Sequence, residues 1–135
     1  MKNFSLSKNE RIKLKRDFQK VYTKGKILYS SQKKIKVNYY LESSVNEGGI
    51  KAAFVVSKKA GNAVWRNRVK RLLREAYRTN KLLLKDLCIS KNQLLLMIFS
   101  PNIINQKHNK KIKLDLILDD LIGLLDKMKS KVQDA

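Results

Sequence analysis

Apolar residues recur along this chain with two alternating periods. Phe18, Val21 and Tyr22 stand at i, i+3 and i+4 ahead of Gly25, which predicts a first helix stopped by that glycine. Ser7 and Glu10 stand at capping-box spacing upstream and mark its candidate start. The period then falls to two. Ile35, Val37 and Tyr39 alternate with Lys36, Asn38 and Tyr40 as in a half-buried strand, and the polar run SSVNEGG predicts a turn into a second strand over residues 50–56, the pair forming a hairpin. Over residues 62–80 the period returns to 3.6, a long amphipathic helix with Asn62 as its N-cap. The run LLLMIF at 94–99, closed by Ser100-Pro101, has no polar alternation and predicts a buried strand in mid-sheet. After the polar loop PNIINQKHNKK, residues Leu114, Ile117, Leu118, Leu121, Leu124, Leu125 and Met128 mark a last helix.

The order helix, strands, helix, strand, helix predicts an α+β two-layer domain, with helices packed on a small, mostly antiparallel sheet that includes a βαβ crossover. Pattern alone leaves the topology open. At 135 residues the chain is expected to be a single domain, 1–135, with no internal repeat.

Charge narrows the partner. Thirty-one Lys and Arg against eleven Asp and Glu give a formal charge of +20, far more than a metabolite site needs, and a polyanion such as nucleic acid is the leading expectation. LLLMIF is much too short to cross a hydrocarbon layer of about 30 Å. The N-terminal MKNFSLSKNERIK has no apolar h-region, so the expected location is cytoplasmic, with no membrane partner. One cysteine, Cys88, and one histidine, His108, allow neither an intramolecular disulfide nor a thiolate-imidazole metal cluster.

The segment KKAGNAVWRNRVKRLLREAYR, residues 58–78, concentrates the charge. At about 100° per residue, Trp65, Val69, Leu72, Leu73 and Ala76 share one face, while Asn67, Lys70, Arg71, Arg74 and Arg78 share another. Lys70, Arg74 and Arg78 form an i, i+4 stack of like charges, which costs an isolated helix a few tenths of a kcal/mol per pair (about 0.2–0.5). Five of the chain's seven arginines lie here, although lysine dominates elsewhere. A guanidinium grips phosphate as a planar fork, whereas an ammonium is a mobile point charge. The alternative, a merely solvated helix face, is the weaker reading.

Lys58-Lys59 and the following GNAVWRNRVKRLLREAYR resemble the signature of the bacterial ribonuclease P protein family, whose arginine–asparagine–arginine helix is matched by Arg66-Asn67-Arg68. RDFQKVYTKGK (16–26) is similar to the family's first helix, and AFVVSKK (53–59) to its strand leading into the motif. The resemblance implies the protein subunit of a ribonucleoprotein that removes 5′ leaders from precursor transfer RNA, an endoribonuclease whose hydrolysis is carried by the RNA subunit. Magnesium would be bound mainly by that RNA and none by the protein alone. One protein with one catalytic RNA is implied, with Lys58, Lys59, Arg66, Asn67, Arg68, Lys70, Arg71, Arg74 and Arg78 meeting RNA. Arg68, away from the main stripe, is the residue to which an intramolecular role could fall. Phe18, Tyr22 and Tyr39 or Tyr40 would line a cleft for the single-stranded leader, with a helical core position as the equal alternative for Phe18 and Tyr22. The family fold, like the second domain of ribosomal protein S5, implies a left-handed crossover between its last two strands.

Three other roles compete for the same residues. Asp115, Asp119 and Asp120 are the only dense carboxylates that a metal-dependent nuclease could use, but they sit on an amphipathic helix whose outer face they would solvate. A Cys88–His108 nucleophilic pair is weaker than a buried inert thiol. A non-catalytic ribosomal or RNA-chaperone protein would share the charge and the fold class.

Overall fold

The computed structural model describes residues 10–43 and 45–135. Its elements run α1 (Lys15–Lys24), β1 (Lys26–Tyr29), β2 (Ile35–Glu42), β3 (Gly49–Phe54), a short 3-10 turn (Lys58–Ala60), α2 (Ala63–Arg78), α3 (Leu82–Ser90), β4 (Leu94–Pro101) and α4 (Leu114–Asp134). The strands form one mixed sheet in the order β1-β2-β4-β3. β1 and β4 flank β2 antiparallel, and β3 pairs with β4 in parallel.

β4 holds the centre because it alone is apolar on both faces. Leu95, Met97 and Phe99 enter the main core with Ile35, Val37 and Tyr39 of β2, beneath α2, α3 and α4. Leu96 and Ile98 point the other way, into a smaller cluster with Ile12, Val21 and Phe18. Helices thus pack on the sheet as expected, and α1 adds partial cover to the opposite face.

The expected β2–β3 hairpin is not formed: β4 inserts between the two strands. β2 and β3 run in opposite directions, but a strand that must bury both faces takes the slot between them, and the α2–α3 crossover delivers it there. The second strand also stops at Phe54, short of residue 56. The hairpin present joins β1 and β2 instead. Its turn places Lys33 at φ +59° and is closed by Ser30, whose N–H donates to Ile35 O at 2.9 Å.

The start of α1 also differs from the expected one. Ser7 lies outside the described residues, α1 begins at Lys15 with no side-chain cap, and Glu10 engages Lys81 and Lys85. Gly25 does end α1, through sterics rather than a left-handed backbone. A β-carbon there would lie 2.3 Å from Val21 O and 2.4 Å from Tyr39 O. α3 has no counterpart among the expected elements because LLLKDLCIS is apolar nearly all round and offers no polar stripe for a 3.6 period to reveal.

Candidate nucleic-acid interface

α2 is fixed at both its start and its inner face. Asn62 Oδ1 accepts from Trp65 N at 2.9 Å, satisfying one of the donors left open by the first turn. Trp65, Val69, Leu73, Ala76 and Tyr77 are buried, while Leu72 is only partly so. Burying this stripe forces the opposite flank outward: Asn67, Arg71 and Arg74 are exposed and Lys70 partly exposed. Lys58 and Lys59, both exposed, stand on the 3-10 turn that leads into α2, where Ser57 Oγ accepts from Lys59 N at 3.1 Å.

The cations of α2 are not equivalent. Arg74 holds its guanidinium carbon 5.9 Å from the centroid of the Phe54 ring, which itself stacks on Phe99, so one face of the fork rests on aromatic surface. Arg78 forms a two-pronged pair with Glu75, at 2.8 and 2.7 Å, and part of its charge is answered within the chain. Arg68 Nε donates to Ile112 O at 2.7 Å, the intramolecular role its wheel position allowed. Arg66 is half-buried, its Nε shielded and without a hydrogen-bond partner among the described residues. Lys70, Arg71 and Arg74 are the part of the stripe that faces outward with no carboxylate within ion-pair distance among the described residues.

A groove of about 340 Å³ opens on the α1 side of the sheet, between Tyr22 of α1 and the strand residues Lys36, Asn38 and Ser100, with Val55 and Ser57 at its far wall. Tyr22 is 53% exposed at its edge. Phe18 is partly buried against the cluster below. Strand alternation separates the two candidate tyrosines. Tyr40 faces α1, with Lys20 Nζ 5.9 Å from its ring centroid and paired to Glu42. Tyr39 points into the main core, is 8% exposed, and so leaves the groove set.

Several groove residues carry no functional signal in the sequence. Lys36, Asn38 and Ser100 look there like the polar face of strands, although a row of polar side chains beside a helix is what an open groove requires. Tyr29, 44% exposed, pairs directly with Lys36 and shares its face. Nothing in the pattern singles it out, because β1 is four residues long and too short to show a period.

The rival chemistries receive no geometry. Asp120 is buried and accepts from Ser30 Oγ at 2.6 Å, bracing the β1–β2 turn, while Asp115 and Asp119 are exposed. Among the described residues no group of three His, Cys, Asp or Glu side chains converges to hold a metal ion. Cys88 is fully buried, and burial pushes its thiol up to about 11, whereas His108 is exposed. Such a thiol is protonated and unreactive near neutral pH.

Fold and surface together define a basic α+β domain that presents one cationic helix flank and one aromatic-edged groove. The ribonuclease P family model matches residues 6–129. A ribonuclease P protein component of Alkaliphilus metalliredigens is 40% identical over 76 residues, 56% of this chain and 64% of that protein. One of Bacillus velezensis is 44% identical over 80 residues, 59% of this chain and 66% of its own length. The matches to these curated relatives thus span about two thirds of their length. The structure of the Staphylococcus aureus RNase P protein superposes with a TM-score of 0.65 at 27% identity, covering 91% of this chain and 96% of that one. The Thermotoga maritima RNase P protein gives 0.63 at 26%, covering 87% and 96%. The chain belongs to the ribonuclease P family.

Proposed function

We propose that this chain is the protein subunit of a ribonuclease P ribonucleoprotein, which docks the catalytic RNA on the α2 flank and guides the 5′ leader of precursor transfer RNA along the groove beside α1. One observation carries the reading: Lys70, Arg71 and Arg74 project together from a helix whose opposite face is locked into the core. Helix stability does not explain a like-charge stack, while a phosphodiester backbone does. Stacking on unpaired bases contributes about 1–3 kcal/mol each and is tolerant of sequence, which suits Tyr22 at the groove edge.

In this reading the protein positions and the RNA subunit hydrolyses, with magnesium bound mainly by the RNA. One protein serves one catalytic RNA, in the cytoplasm. No helix among the described residues is long and apolar enough to cross a membrane. The test is reconstitution. The purified chain, mixed with a bacterial ribonuclease P RNA and a precursor transfer RNA at low magnesium, should stimulate removal of the leader. Absence of stimulation, with RNA binding intact, would favour a non-catalytic ribosomal or chaperone role.

A further inference from the structure

Residues 102–113, the connection from β4 to α4, lie against the N-terminal half of α2 and the turn before it, and are tied there at four points. Gln106 N donates to Ala60 O at 2.7 Å, and Asn62 N donates to Gln106 Oε1 at 2.8 Å. Trp65 Nε1 donates to Asn109 O at 2.8 Å, and Arg68 Nε to Ile112 O at 2.7 Å. Internal turns add Asn109 N to Asn105 O at 2.8 Å and His108 N to Asn105 Oδ1 at 3.0 Å. Gly61 permits the close approach: a β-carbon there would lie 2.7 Å from Trp65 Cε3 and 2.9 Å from Gln106 Cβ. A connection of this length held at so many points has already given up most of its conformational entropy before any partner arrives.

What this fixed loop displays is positive. Lys107, Lys110 and Lys111 are all exposed, with no carboxylate within ion-pair distance among the described residues. A shallow hollow of about 530 Å³ lies between Lys59 on one side and Lys107 and Lys110 on the other, and no acidic residue lines it. Lys59 belongs to the turn that leads directly into α2. The loop therefore sets its lysines beside the start of α2, and an anion spanning the hollow would neutralise like charges from both sides.

We infer that the β4–α4 loop is a second RNA-docking surface, on which Lys107, Lys110 and Lys111 together with Lys59 hold the phosphodiester backbone of the same structured RNA that α2 engages. The inference rests on the proposed role of α2. Three ammonium groups on a preset loop can neutralise backbone phosphates as point charges, beside the bidentate forks that the α2 arginines supply. Arg68 then acts as a positioning residue, spending its guanidinium on Ile112 O to hold the loop.

The test is salt-titrated binding of the full chain to a bacterial ribonuclease P RNA, comparing Lys107→Gln/Lys110→Gln/Lys111→Gln with Arg71→Ala/Arg74→Ala. The loop variant should bind about ten-fold more weakly near physiological salt, and its log–log salt slope should fall by about two to three, one for each phosphate no longer neutralised. In the reconstituted particle, its preference for precursor over mature transfer RNA should be unchanged. If the loop variant binds like the parent while the α2 variant is weakened, the inference is overturned and the proposed role of α2 stands. If neither weakens, both are overturned. A fall in precursor preference would place the loop on the leader and overturn its assignment to the catalytic RNA. An iron chelate tethered at Lys110→Cys gives an independent readout: localised hydroxyl-radical cleavage of the catalytic RNA is expected, and its absence overturns the inference.

Discussion

Tyr39 and Tyr40 are neighbours in the chain and belong to opposite sides of the molecule, because a strand turns successive side chains to alternate faces. The same geometry brings Tyr22 to the rim of the groove beside Lys36 and Asn38. Replacing Tyr22 by Ala should lower affinity for precursor relative to mature transfer RNA by about 1–3 kcal/mol, measured by competition binding to the reconstituted particle. Tyr39→Phe should leave that ratio untouched. Equal losses for both RNAs with Tyr22→Ala would make its role structural. A second residue-scale feature lies far from the groove. Lys81, with no exposed side-chain surface, pairs with Glu10, and Lys85 Nζ stands 3.3 Å from the other carboxylate oxygen. Burial opposes ionisation of Glu10, but the hydrogen bonds and charges of Lys81 and Lys85 outweigh it and hold the carboxyl below its usual range. A depressed carboxylate stabilises the fold above its unfolded value, about 4.3, and loses that contribution as pH falls through the lower folded value. Denaturant titrations from neutral to strongly acid pH should show this loss in the parent protein. Glu10→Gln should cost about 3 kcal/mol at pH 7, since it removes the carboxylate paired with a buried ammonium, and should flatten the acid limb. An acid limb unchanged by the substitution would assign the acid sensitivity to other carboxylates.

At the scale of elements, α1 and β1 meet at Gly25, and the seat of α1 on the sheet brings Tyr22 to the groove. A methyl group at this position collides with two backbone oxygens, Val21 O and Tyr39 O, neither of which can rotate away. Gly25→Ala should therefore destabilise the protein by about 1–3 kcal/mol by forcing α1 off the sheet, read as a lower melting temperature. It should also weaken leader discrimination while leaving binding of catalytic RNA through α2 intact. A stable variant with an unchanged melting curve would show that the junction yields at little cost. α2 illustrates the opposite case, an element whose function depends on being immovable. Its cap, its buried stripe and the loop packed against its first turns all hold the helix in one orientation, so its flank is presented as a rigid surface.

Across the whole molecule the formal charge of +20 is borne by a single small domain, and folding brings those cations together. Few are answered internally: the ion pairs among described residues involve Glu10, Glu42, Glu75 and Asp126. Anions that bind only the folded state must stabilise it by mass action, about 2.7 kcal/mol at a hundred times the dissociation constant. Calorimetry in sulfate or phosphate should show a higher melting temperature than in chloride at equal ionic strength. Identical melting in all three salts would mean that general screening, and not occupied anion sites, accounts for any salt effect.

The elements with a long, unambiguous period were legible in the chain itself. The burial of Trp65, Val69 and Leu73 and the outward flank of Lys70, Arg71 and Arg74 follow from 3.6-residue periodicity, because a helix fixes the relative direction of its side chains before it packs on anything. The central place of β4 followed from an apolar run that must be shielded on both faces. Tertiary structure alone decided which strands pair, because hydrogen-bonded neighbours are chosen by how the sheet buries all its faces at once. It moved β3 away from β2 and drew Arg68 and Arg78 to partners within the chain. It also set a lysine-bearing loop beside α2 that reads, in one dimension, as a polar connection some forty residues distant. Periodicity is a local property and survives in the sequence, whereas adjacency between distant segments exists only once the chain has closed on itself.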